Sequence, residues 1–266
     1  MRRWIPFLKT PPTVSVLRLS GVITGAGRVA GLNDASLAPL LERAFTRRKP
    51  TAVALVINSP GGSPVQSSLI GARIRRLAEE KELPVHAFVE DVAASGGYWL
   101  AASADQIWSD PSSVIGSIGV ISAGFGAQDF IARYGIERRV YTAGKSKSML
   151  DPFRPEKPED VARLHGVLGE IHTTFIDHVK ARRGDKLNGD DDLFTGEFWV
   201  GQRAVDLGLA DGIAHLVPKM KELYGDDVKF QPFGQRKGLL QRLNAGLVDA
   251  VAGRVEEQAL YARYGL

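Results

Sequence analysis

Apolar residues recur along this chain in two periods, and their alternation predicts the architecture. Ala52-Val53-Ala54-Leu55-Val56-Ile57 is a continuous apolar run, the mark of a strand covered on both faces. Leu83-Pro84-Val85-His86-Ala87-Phe88-Val89 reads as a second short buried strand. Val14, Val16, Leu17, Leu19, Val22 and Ile23 lie in a run broken by Gly21, a strand entering a turn at Thr24-Gly25-Ala26-Gly27. Helical spacing fills the gaps. Asn33-Asp34-Ala35-Ser36 starts a helix with Leu37, Leu40, Leu41 and Ala44 on one face, and Pro50 ends it. A helix from about Val65 to Glu80 turns Leu69, Ala72, Ile74 and Leu77 inward.

The same alternation continues. Leu100 to Ala104 reads as a helix and Asp105 to Ser109 as a strand. Val114-Ile115-Gly116-Ser117-Ile118-Gly119-Val120-Ile121 is apolar and punctuated by glycine, which suits a segment that other backbone approaches closely. Asp129 to Tyr134 is a short helix, Arg139-Val140-Tyr141-Thr142 a strand, and Gly144 to Phe153 a polar loop. Pro158-Glu159-Asp160 opens a long helix to about Arg182, with proline and acids where the helix dipole favours them. Leu193-Phe194-Thr195-Gly196 leads into a helix over Gly201 to Leu207, capped by Gly208. Strands and helices in alternation predict an α/β protein. From Tyr224 the composition shifts: Gly225-Asp226-Asp227 and Gln231-Pro232-Phe233-Gly234 read as a linker. Leu240, Leu243, Leu247, Val251 and Val255 then recur at helical spacing along an amphipathic tail. Such a tail packs on its own domain or a neighbouring subunit, or lies on a membrane surface; Asp249, Glu256 and Glu257 weaken the last reading.

Composition narrows the function classes. The chain has 266 residues, 44% hydrophobic and 24% charged, with a net charge of +4, ordinary values for a globular protein. Lys and Arg are scattered without an aromatic-interleaved basic stripe, so nucleic acid is not an expected partner. With no cysteine, disulfides, thiol catalysis and Cys-based metal sites are excluded. No His-Glu spacing suggests a metal, and no cofactor is expected. No run approaches the ~18 apolar residues of a membrane span, and Met1 to Lys9 lacks the apolar core of a signal peptide.

The chemistry concentrates at Asp91-Val92-Ala93-Ala94-Ser95-Gly96-Gly97-Tyr98-Trp99, where a strand turns into a helix. Small residues flank Ser95, so its hydroxyl is accessible beside the amides of the helix N-terminus, a suitable place for a nucleophile and an oxyanion donor. The elbow is related to G-x-S-x-G, with Ala93 in place of the first glycine. Alternatively, Ser95 is only a helix cap. Ser59-Pro60-Gly61-Gly62 follows a buried strand, and its glycines let amides turn toward a bound carbonyl; a plain β-turn is the other reading. None of the five histidines, His86, His165, His172, His178 and His215, stands in a Gly- or Asp-rich loop that presents a base. A desolvated lysine can serve instead, with Lys145 and Lys147 as loop candidates.

Together, Asn58-Ser59-Pro60-Gly61-Gly62, Ala93 to Tyr98, Gly116-Ser117-Ile118-Gly119-Val120 and Lys147 five residues before Pro152 resemble the signal peptide peptidase A family of serine-lysine peptidases. Phe194-Thr195-Gly196 with Ala204 to Asp211 resembles that family's closing segment, and the likeness runs from about residue 13 to 218. The resemblance implies a crotonase/ClpP-like fold of repeated ββα units in one domain, assembled into ring-like homo-oligomers. It implies Ser95 as nucleophile, Lys147 as general base, Ser117 orienting the lysine, and the Gly62 and Gly96 amides as oxyanion donors. Ile118, Gly119 and Val120 would pair with an extended peptide substrate. The expected layout is an N-terminal arm over 1–12, a peptidase domain over 13–224, and a linker with an amphipathic C-terminal helix over 225–266. The family's usual membrane anchor has no counterpart here, so a cytoplasmic endopeptidase for apolar peptides is expected. Any membrane contact would be peripheral, through the N-terminal arm or the C-terminal helix. Two other readings share the fold: an enzyme acting on a coenzyme A thioester, and an inactive oligomeric scaffold.

Overall fold

A computed structural model describes residues 11–25, 31–144, 146–188, 191–234 and 258–266. The central layer is an α/β sheet built from β1 (Thr13–Ser20), β2 (Ala52–Ser59) and β3 (Val85–Ala94), paired in parallel. Two helices make the crossovers, α1 (Asp34–Thr46) and α2 (Pro64–Lys81). The continuous apolar run of β2 is explained by its central place: Ala52 to Ile57 are all buried except for a 6% remnant at Val56. Alternate residues face opposite layers. Val53, Leu55 and Ile57 join the main core with Leu37, Leu41, Ile70 and Ile74, whereas Ala52 and Ala54 join a smaller core on the other face.

Local chemistry starts both helices. The Asn33 side chain accepts from the Ser36 N–H at 2.9 Å, and Ser63 caps α2, with Pro64 in its first turn. Arg73 on α2 forks onto Asp34 at 2.7 and 2.8 Å and holds that carboxyl below its ordinary range. The inward face of α2 is Ile70, Ile74, Leu77 and Ala78; the expected Leu69 and Ala72 are exposed. The helix is turned so that Gly71 meets α3 (Gly96–Ala102), where a Cβ would lie 2.6 Å from Ser103 Oγ.

Each of the first two core strands runs past a glycine into a short bridge before its helix. Ile23 bridges Gly62, with Ile23 N–H donating to Gly61 O and Ser63 N–H to Ile23 O, both at 2.8 Å. This strand–bridge–helix order is the expected ββα unit. The sheet forks at β3. His86 to Val89 pair with β4 (Gln106–Ser109), and Val92 to Ala94 pair with β5 (Val114–Gly116). The end of β3, which leads into Ser95, stays in the sheet between Ser59 of β2 and the β5 arm of the fork. Beyond it, β6 (Phe198–Val200) runs antiparallel to β5, leading into α6 (Gly201–Asp206). β7 (Gly212–Ile213) pairs with β4, and α7 (Leu216–Tyr224) covers the smaller core through Met220.

Two elements differ from expectation. Gln231 to Phe233, read as linker, belong to β8 (Lys229–Phe233), which pairs in parallel with β1 at the sheet edge. Proline is tolerated there because an edge strand leaves one row of N–H groups unpaired. Arg139 to Thr142 form no strand; they run through an exposed stretch with no sheet neighbour. That stretch follows α4 (Gln128–Arg133) and precedes α5 (Pro158–Arg183). Leu240, Leu243, Leu247, Val251 and Val255 lie outside the described residues. No described helix is long and apolar enough to cross a membrane.

Candidate active site

Ser95 stands at the junction of β3 and α3 with φ +52° and ψ −122°, a conformation uncommon outside glycine and recurrent at strained functional turns. Its N–H donates to Gly116 O at 2.8 Å, and its carbonyl accepts from Trp99 N–H at 3.0 Å. The side chain makes no capping hydrogen bond, which leaves the cap reading without its defining contact. Ser95 is half-buried and lines a cleft of about 350 Å³.

The glycines around it are required by close approach. A Cβ on Gly61, at φ +100°, would sit 2.7 Å from Gly96 N and 2.8 Å from Ser95 Cβ. One on Gly97 would sit 2.3 Å from Ser59 O, so α3 lies directly on the end of β2. Gly62 has φ +140°, and a Cβ there would meet Ile23 O at 2.0 Å. A Cβ on Gly96 would come 3.4 Å from Gly62 N, so the two residues adjoin, and both line the cleft. Gly96 N–H is at the first position of α3, where the helix offers no acceptor. Two adjacent donors beside a strained serine can hold an oxyanion.

Ser117 follows β5, the strand paired with the end of β3, and so lies beside Ser95; it too has positive φ (+52°), and its N–H donates to Glu197 O at 2.6 Å. Tyr264 Oη donates to Ser117 Oγ at 3.2 Å. Gly119 and Val120 line the cleft, whereas Ile118 is buried in the core, its carbonyl accepting from His172 Nε2 at 3.0 Å. The backbone of 116–120 is approached as its glycines suggest: a Cβ on Gly119 would come 3.0 Å from Gly196 Cα.

Lys147 is not brought to this cleft. It is exposed on a turn over 146–150, its N–H donating to Gly144 O at 3.2 Å, and it is absent from the cleft lining. Lys145 lies outside the described residues. The stretch between β5 and α5 that carries Lys147 is exposed and bares aromatic side chains, with Phe125 93% and Tyr141 91% accessible. One chain therefore unites Ser95, Gly62, Gly96, Ser117, Gly119 and Val120, and holds Lys147 apart.

The titratable groups among the lining residues are His172, Arg263 and Tyr264; no carboxylate is among them. The cleft floor is apolar. Trp99 stacks on Phe175 at 5.1 Å and on His178 at 4.4 Å, and His178 Nε2 pairs with Trp99 O at 3.1 Å. Burial pushes the His178 imidazole down to about 4, against the pull of that carbonyl. Sequence reasoning missed the far wall, formed by Leu260, Arg263 and Tyr264 at the end of the chain. The two aromatics spaced i, i+3, Tyr261 and Tyr264, were the signal available.

The model of Peptidase family S49 matches residues 77–224. A Brucella melitensis protein named Na(+)/H(+) antiporter NhaA is 47% identical across this whole chain, which spans 39% of that protein's length. The probable protease SohB of Haemophilus influenzae is 31% identical over 78% of this chain and 56% of its own. The chloroplastic serine protease SPPA of Arabidopsis thaliana is 32% identical over 64% of this chain and 25% of its own.

Proposed function

Because the chain belongs to peptidase family S49, we propose that it is a serine endopeptidase in which Ser95 attacks the peptide carbonyl and Lys147 of a neighbouring copy is the general base. The observation that carries this reading is the strained Ser95 beside the paired Gly62 and Gly96 amides, in a cleft whose one histidine, His172, is engaged with Ile118 O. A second copy is invoked because Lys147 is not among the cleft lining and lies on an exposed stretch that bares Phe125 and Tyr141. Packing that segment against another subunit would bury the apolar side chains and dry the amine, and desolvation favours the uncharged form a base needs.

The chemistry then runs in two halves. The neutral amine takes the Ser95 hydroxyl proton as Oγ bonds to the peptide carbonyl carbon. The carbonyl electrons move onto oxygen, which the Gly62 and Gly96 amides hold; each such donor is worth about 3–4 kcal/mol in comparable sites. Collapse breaks the C–N bond, and the ammonium returns its proton to the leaving amine. Water, deprotonated by the same amine, hydrolyses the acyl-serine. Of the expected Ile118–Val120 segment, Gly119 and Val120 line the cleft and would present backbone to an extended substrate, while the Ile118 carbonyl is taken by His172; the Trp99–Phe175 floor suits apolar side chains. The thioester alternative needs a carboxylate near the amides, and none is among the lining residues.

Separate Ser95→Ala and Lys147→Ala variants, assayed on an apolar fluorogenic peptide, test the pair. Both are expected to lose turnover by about 10³-fold or more. Mixing the two inactive variants should restore part of it, since a mixed assembly rebuilds intact sites. Full turnover in either single variant ends the assignment; failure to restore in mixed assemblies ends the shared-site part.

A further inference from the structure

The strand ends that present Gly62, Ser95 and Ser117 are clamped by the last residues of the chain. Tyr261 Oη donates to Asn58 O at 2.9 Å, at the end of β2. Tyr261 and Tyr264 pack together on Val92, Ala94 and Val114, the seam of β3 and β5. Tyr264 meets Phe198 of β6 edge-on at 5.3 Å. Its phenol is therefore held by apolar contacts on several sides, and it is directed at Ser117 Oγ. Ser117 has its own backbone fixed by the bond to Glu197 O.

We propose that Tyr264 is a positioning residue of the active site, fixing the Ser117 hydroxyl in the orientation that receives the general base. A phenol is the stronger donor of the two hydroxyls and takes one Ser117 lone pair. The Ser117 proton is then left to point into the cleft, toward the lone pair of an arriving amine. That orientation favours the uncharged amine. Without Tyr264 the Ser117 oxygen is free to accept from an ammonium N–H, and the charged form gains. The inference rests on the serine-lysine reading above, and His172 and Arg263, the other titratable groups of the cleft, stay in place in the test variant.

The experiment uses the assembled chain carrying Tyr264→Phe, with Tyr261→Phe as the comparison. Phenylalanine keeps the ring packing and removes only the hydroxyl. For Tyr264→Phe, kcat is expected to fall several-fold with KM little changed, and the acidic limb of the kcat/KM profile to move up by about half a unit to one unit. Tyr261→Phe, which loses the anchor to Asn58 O, should leave that limb in place. An unmoved limb in Tyr264→Phe, an equal movement in Tyr261→Phe, or faster turnover in Tyr264→Phe would each overturn the proposal. The last would mark the tail as a plug. If Ser95→Ala or Lys147→Ala keeps full turnover, the dyad itself falls; if both are inactive and Tyr264→Phe behaves as wild type, only the role of Tyr264 falls.

Discussion

A methyl group on Gly61 would have to occupy space 2.7 Å from Gly96 N, on a backbone already at φ +100°. Gly61→Ala is expected to cost about 1–3 kcal/mol and to displace the Gly62 amide. Chemical denaturation should show the first effect, and a drop in kcat larger than the rise in KM the second. The residue scale is also where the sequence was most legible. Ser95 is marked by the run of small residues on both sides, because a turn this tight admits nothing larger. Gly62 and Gly96 follow by the same logic. The place of Lys147 was not legible: it is not among the residues that line the Ser95 cleft, and its polar surroundings in sequence do not say against what it packs.

At the scale of elements, the seam between α3 and α5 makes a pH-dependent contribution. His178 has its folded-state pKa depressed to about 4 by burial, so the unfolded chain binds a proton more readily than the folded one. Stability is therefore complete above the unfolded value near 6.5 and falls as pH drops toward 4. The loss between pH 7 and pH 5 is expected to be about 2 kcal/mol. His178→Phe keeps the stack on Trp99 and should flatten that part of the urea-midpoint profile. A second tie joins the end of α5 to the segment before β7. Arg183, almost wholly buried, bonds Asp211 at 2.8 Å and Gly208 O at 2.7 and 2.9 Å. Burial works against the Asp211 carboxylate, but hydrogen bonds from Arg183, Lys186 and Ile107 N–H hold it ionised below its usual range. Asp211→Asn leaves Arg183 with an unpaired buried charge and is expected to cost about 3–5 kcal/mol, measurable by denaturation at pH 7. Elements with strong periodicity, such as α1, α5 and β2, were read within a few residues. The misread ones, Arg139 to Thr142 and β8, depend on whether a neighbouring strand exists, which composition does not encode.

For the whole molecule, the exposed segment between β5 and α5 is the unfinished surface. Phe125 and Tyr141 stand almost fully accessible on the same stretch as Lys147. The proposed shared site predicts that replacing both with serine shifts the particle to a smaller species in light scattering and lowers turnover, with the secondary structure unchanged. An unchanged particle size would detach that segment from assembly.

The place of β8 has a consequence for how the chain is made. β1 leaves the ribosome more than two hundred residues before β8, and until Lys229 to Phe233 emerge its outer edge lacks the neighbour it has in the folded sheet. A nascent chain halted before that point carries an open, sticky strand edge. Truncations that stop short of Phe233 should accumulate as aggregates, which sedimentation of freshly expressed protein would show.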